Sequence, residues 1–204
     1  MNFSSHEILA MVVGASFAAG LNVYATVATL GLIARAGWVQ MPPALHPLEN
    51  WWVIGAALAL FAVEFIADKI PAFDLIWNAL QTFVRVPVAA LLGWAATTQL
   101  SPQAQMLSAT LAGVIAMAAH GGKFAVRAAV TPSPEPISNT ALSVGEDVVA
   151  IALTWFATTH PYIAATIAVV LVVLTILTIR WVIRAITRLF RGARDRWDQW
   201  QEAA

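Results

Sequence analysis

The chain is expected to fold as an all-α, polytopic membrane bundle of about six spans with an internal tandem two-helix repeat, and three observations carry that expectation. Of its 204 residues, 60% are hydrophobic and 11% charged, and the mean hydropathy is +0.75, outside the range of soluble globular domains. Apolar windows recur at 8–34, 51–67, 73–96, 106–130, 139–159 and 162–179, most of them near the roughly 20 residues that cross about 30 Å of hydrocarbon. Finally, Pro71-x2-Asp74-x3-Asn78-x3-Thr82-x2-Arg85 returns 61 residues later as Pro132-x2-Glu135-x3-Asn139-x3-Ser143-x2-Glu146.

The first window is long enough to tilt or break, with Gly14, Gly20 and Gly31 as candidate break points. Residues 1–7 carry no Lys or Arg, so they lack the basic start of a secretory signal and the first span is expected to be retained. Asn22, Thr26 and Thr29 recur at i, i+4, i+7. Such a polar stripe either glues helices together or lines a hydrated path.

The second window, 51–67, is slightly short and ends in Glu64 and Asp68 at i, i+4 spacing. In the third, Asn78, Thr82 and Arg85 form a stripe, and Arg85 lies about four turns past Pro71, or roughly 20 Å at 1.5 Å per residue. Pro87 is expected to kink this span, with a re-entrant break there as the alternative that would upset the count. Trp77 and Trp94 are candidates to line a cavity, whereas Trp38, Trp51, Trp52, Trp181 and Trp197 suit an interfacial belt.

Lys123 and Arg127, at the same i, i+4 spacing, lie ahead of Pro132 in the fourth window as Glu64 and Asp68 lie ahead of Pro71 in the second. The fifth repeats the stripe as Asn139, Ser143 and Glu146, followed by Asp147. Acids in one copy thus face bases in the other. Charged groups inside hydrocarbon must be paired, hydrated or functional, so Arg85 is expected to meet Glu146 or Asp147, and Glu64 or Asp68 to meet Lys123 or Arg127.

Two turns join these helices, 68–74 and 131–139, with Asp74 and Ser138 or Asn139 as expected N-caps. Their helix N-termini, with Lys69, Lys123 and Arg127, suit an anionic group. Two intervening spans make the copies parallel; a weaker register, Gly20-Leu21-Asn22-Val23 against Gly121-Gly122-Lys123-Phe124, would instead imply a three-plus-three inversion.

Beyond the last window, Arg180, Arg184, Arg188, Arg191, Arg194 and Arg196 cluster. The positive-inside rule then places the C-terminus, and with six spans the N-terminus, in the cytoplasm. The chain divides into a membrane domain, 1–180, with repeat copies at about 51–100 and 106–160, and an Arg-rich amphipathic tail, 181–204, that attracts anionic lipid. Nucleic acid is not an expected partner, because Asp195, Asp198 and Glu202 dilute the basic run. Gly- and Ala-rich faces suit a homodimer in addition to lipid contact.

Chemistry is sparsely provided. With no cysteine and with His6, His46, His120 and His160 scattered, there is no sign of a catalytic motif, metal site or cofactor, and the chain does not read as an enzyme. His120 shares a helical face with Lys123 and Arg127, where it reads as a hydrogen-bonded structural group.

The stretches Gly20-Leu21-Asn22-Val23-Tyr24-Ala25-Thr26, Glu64-x3-Asp68-Lys69-Ile70-Pro71-x2-Asp74 and Lys123-x3-Arg127-x4-Pro132-Ser133-Pro134-Glu135-Pro136 resemble an uncharacterised bacterial multi-pass membrane family, DUF4126. The resemblance implies a bacterial inner-membrane protein and supplies no activity. From the residues, the expected function is a small transporter, channel or lipid-headgroup carrier for a small polar or anionic solute. Its pathway would be lined by Asn22, Glu64, Asp68, Asn78, Thr82, Arg85, Lys123, Arg127, Asn139, Ser143, Glu146 and Asp147. A non-catalytic scaffold or accessory subunit held by structural ion pairs is the competing expectation.

Overall fold

The computed structural model describes residues 3–130 and 136–202, and the side chains among them except at 71, 72, 74, 75, 128–130, 136–139, 186, 189, 190 and 192–202. The described residues form helices and no strand: α1 (Ser5–Leu21), α2 (Val23–Arg35), a 3-10 turn (Pro43–Glu49), α3 (Trp51–Ala67), α4 (Pro71–Ala96), α5 (Pro102–Val130), α6 (Pro136–Thr159) and α7 (Pro161–Glu202). Polytopic helical architecture is therefore what the apolar windows produce.

Proline punctuates the chain, opening the 3-10 turn and all of α4 to α7. Its missing N–H costs nothing at a helix start, and its fixed φ is already helical. The other starts are capped by side chains. Ser4 and Glu7 form a reciprocal capping box on α1, Asn22 Oδ1 accepts from Ala25 N at α2, and Asn50 Oδ1 accepts from Trp52 N at α3.

Because α4 begins at Pro71 with Ile70 as its cap, Asp74 is not the N-cap expected for it. Ser138 and Asn139 fall in α6, which begins at Pro136, and their side chains lie outside the described residues, as does the turn at 131–135. Pro87 sits inside an uninterrupted α4. The expected vestibule of two capped helix N-termini thus has no support at its α4 side.

The break falls in the first window instead. Asn22 has extended backbone (φ −151°, ψ 103°) and ends α1 while starting α2. Its neighbours along α6 reveal the path. Gly14 lies against Ala157, Asn22 bonds Asp147, Thr26 lies 3.5 Å from Thr154, and the Trp38 ring meets Trp155 at 5.2 Å between centroids. The chain therefore descends along α6 to Asp147 and climbs back, so α1 and α2 are a re-entrant hairpin.

This changes the count and the sidedness. Among the described residues four helices, within α4 to α7, are long and apolar enough to cross a bilayer, and counting the 3-10 turn with α3, bent by 64°, as one span brings the number to five. Phe3 and Ile8 share a cleft with Gln40 to Pro43 and Gln99, at the end opposite the α3–α4 turn. The start of α1 and the Arg-rich end of α7 consequently lie at opposite ends of the bundle, where six crossings would have put them at one.

Within the bundle α1 is the central helix, packed against α2, α4, α5, α6 and α7 and buried along almost all of Ile8 to Leu21. Close approach requires its small residues: a Cβ on Gly20 would lie 2.5 Å from Ala116 O and 2.7 Å from Ala119 Cβ. Outward faces of the long helices are apolar, with Phe83, Leu91, Met106, Val148 and Val173 exposed. That inverted pattern is the one a hydrocarbon solvent demands.

The last span runs on into the tail as one helix, as expected. α7 is continuous over 42 residues, about 63 Å at 1.5 Å per residue, so Arg180, Arg184, Arg188 and Arg191 ride on the extension of a spanning helix.

Candidate functional site

Charges from α3, α4, α5 and α6 meet beneath the tip of the α1–α2 hairpin. They form an alternating chain: Arg85, Glu64, Lys123, Asp68, Arg127, Glu146. Arg85 Nη2 donates to Glu64 Oε1. Lys123 Nζ lies 3.3 Å from Glu64 Oε1, 2.9 Å from Asp68 Oδ2 and 3.4 Å from Glu146 Oε2. Arg127 Nη2 closes the chain, 3.2 Å from Asp68 Oδ2 and 2.7 Å from Glu146 Oε2, while its Nη1 donates to the Asp68 carbonyl at 3.1 Å.

Helical spacing explains the interleaving. Glu64 and Asp68 are one turn apart near the end of α3, and Lys123 and Arg127 are one turn apart near the end of α5. Four residues bring side chains to one face, so two antagonistic pairs mesh like teeth. The expected meeting of Glu64 and Asp68 with Lys123 and Arg127 is found.

The expected partner of Arg85 is not. Because α1 packs against both α4 and α6, its C-terminal end occupies the space between Arg85 and the acids of α6. Arg85 Nη1 donates to Gly20 O at 3.2 Å and to His120 Nδ1 at 2.8 Å. Glu146 turns to Arg127 instead, and Asp147 Oδ1 accepts from Asn22 Nδ2 at 2.8 Å.

His120, expected as a hydrogen-bonded structural group, is hydrogen-bonded, and one of its partners is Arg85 of the charge chain. Its Nε2 lies 2.9 Å from both Asn78 O and Thr82 Oγ1. A carbonyl accepts only, so Nε2 carries the proton and Nδ1 offers its lone pair to Arg85. Its i, i+3, i+7 spacing to Lys123 and Arg127 was the available signal. Gln81, buried on α4 and donating to Tyr24 OH at 3.1 Å, carried none.

Of the other anticipated residues, Ser143 Oγ reaches Asp68 Oδ2 at 3.4 Å and Thr82 serves His120. Asn78 is fully buried, Thr26 bonds Asn22 O at 2.9 Å, and Asn139 lies outside the described side chains. Trp77 stacks on Phe73 at 5.9 Å and Trp94 is exposed, so neither lines the site.

The two ends of the charge chain differ in access. Arg85, Glu64, Lys123 and Arg127 have side-chain exposures of 0%, and Asp68 of 1%, whereas Glu146 is 13% exposed. Glu146 borders a cleft of about 640 Å³ between α5, α6, α7 and α1, walled by Phe17, Leu142, Val149 and Leu171. Among the described residues, Lys123 and Glu146 are its only charged lining. A second cleft, about 360 Å³ between α2, α3 and α4, has no charged lining residue.

No group of three or more metal-ligating side chains occurs among the described residues. No curated protein and no solved structure matches the chain. Residues 9–181, spanning every helix of the bundle and all six linked charges, match one family, and the chain belongs to it: the domain of unknown function DUF4126.

Proposed function

We propose that this protein is a membrane carrier for an amphiphile with an amine-bearing headgroup, admitted sideways through the α5–α6–α7 cleft. The observation that carries this reading is the cleft itself: a large, mainly apolar recess whose one exposed charge is the Glu146 carboxylate. Its walls suit an acyl chain, and its base suits an ammonium group. An anionic solute, the other sequence-level expectation, would meet Glu146 first, since Lys123 is covered.

Carriage follows from exchange of partners. Arg127 and Lys123 each keep Asp68 when Glu146 leaves them, so Glu146 is the member of the chain that can rotate toward a guest without leaving a buried cation unpaired. Headgroup and carboxylate then neutralise one another in an apolar recess. The positive-inside rule orients the protein with the Arg-rich end of α7 in the cytoplasm of a bacterial cell and the start of α1 outside.

Reconstituted vesicles test the reading. Transbilayer movement of a short-chain fluorescent phospholipid with an ethanolamine headgroup should be accelerated by the protein and lost in Glu146→Gln, while its glycerol-headgroup counterpart should move no faster than in empty vesicles. Equal movement of both probes, or wild-type rates in Glu146→Gln, would exclude it. The second reading, a scaffold, draws on the near-complete burial of the other five charges. It expects no movement of either probe and full cellular function in a variant that swaps Arg85 with Glu64.

A further inference from the structure

The buried cluster has one carboxylate too many. Three cations, Arg85, Lys123 and Arg127, are shared by Glu64, Asp68 and Glu146, and Asp147 pairs with none of them. Asp147 is 5% exposed, its Oδ1 has the Asn22 amide, and its Oδ2 is buried without a hydrogen-bond partner. A lone ionised carboxylate in such a place costs far more than a neutral acid.

We propose that Asp147 is a proton-binding site at the tip of the re-entrant hairpin. The proton resides on Oδ2, which leaves Oδ1 as the carbonyl oxygen that Asn22 Nδ2 addresses. One proton enters and one leaves, with no other change in bonding. Its position gives it leverage, because the same Asn22 side chain also accepts from Ala25 N to cap α2. Loss of the proton places a full negative charge beside the break between α1 and α2.

The surrounding charges are few. Toward Asp147 face Lys123 from α5, Glu64, Asp68 and Lys69 from α3 and its exit turn, and Glu146 from α6 itself. Neither α1 from Ile8 to Leu21 nor α7 from Ile163 to Ile179 contributes a titratable group, and α2 brings Tyr24 and, far from the tip, Arg35. Of these cations, Lys123 is already engaged by Glu64, Asp68 and Glu146, and Lys69 Nζ donates to the Phe65 carbonyl at 2.7 Å. This inference does not depend on the amphiphile reading.

Infrared difference spectroscopy on the reconstituted full chain tests it. A protonated-carboxyl C=O band should be present at neutral pH, vanish in Asp147→Asn and persist in Glu146→Gln. In Asn22→Ser, which weakens the bond to Oδ1, the band should move to higher wavenumber, so a folded reporter remains if Asp147→Asn fails to insert. Absence of any such band, a band untouched in both Asp147→Asn and Asn22→Ser, or its disappearance on adding sodium at fixed pH would overturn the proposal. The last outcome would make a metal ion the ligand in place of a proton.

Discussion

The two ends of the charge chain are built from the same repeat and meet opposite fates. At one end Arg85 is sealed under the α1 C-terminus and satisfied by Glu64, Gly20 and His120. At the other Glu146 shares its cations with Asp68 and looks into an apolar cleft. The difference teaches that the re-entrant hairpin, absent from the repeat, decides which end is locked. Where its tip fills the space the charges are structural, and where it leaves a gap one carboxylate is free to exchange.

The largest effect should come from the middle of the chain. Asp68→Ala leaves Lys123 and Arg127 sharing Glu146 and Glu64 only, and removing one partner of a buried pair costs about 3–5 kcal/mol. Thermal unfolding in detergent should show a drop of that order or failure to fold; a near-wild-type midpoint would mean that water reaches the sealed region. Next in size is Gly20→Ala, whose methyl would collide with Ala116 O and Ala119. Overpacking of this kind costs about 1–3 kcal/mol, again read from the unfolding midpoint.

Smaller still should be the effect of Glu146→Gln on stability, about 1 kcal/mol, because a neutral hydrogen bond replaces part of the pair and Arg127 retains Asp68. Its unfolding midpoint should fall well short of the loss in Asp68→Ala. If the two variants are equally unstable, the ends do not differ. Least disruptive of all is cysteine labelling, made clean by the absence of native cysteine. Gly145→Cys, at a position where a Cβ meets nothing within 4 Å, should react with a membrane-permeant maleimide, and Ser143→Cys, two residues away and fully buried, should not.

Much of this arrangement was legible in the chain. Apolar windows and helix-opening prolines fix the elements, since length and N–H chemistry act locally. The i, i+4 pairs Glu64 with Asp68 and Lys123 with Arg127 announce their own complementarity. Arg85 was misassigned for a physical reason: depth along α4 predicts which charges share a level but not which helix stands between them. A break in the first window was legible from its length, and Gly20 lies two residues from it, but the reversal at Asn22 was not, because Asn22 reads equally as one member of a polar stripe and as a helix cap, and only its extended backbone distinguishes the two. Asp147 was grouped with Glu146 by adjacency, although neighbouring residues on a helix point about 100° apart.

One measurement bears on the central claim most directly. A phospholipid with an ethanolamine headgroup and a photoreactive acyl chain can be incorporated with the protein, irradiated, and its attachment sites mapped by peptide mass spectrometry. The account predicts adducts concentrated on Leu142, Val149 and Leu171, reduced about tenfold in Glu146→Gln, the size of effect expected from about 1.4 kcal/mol of lost headgroup pairing. Adducts spread evenly over the exposed faces of α4 and α7, or unchanged in Glu146→Gln, would contradict it.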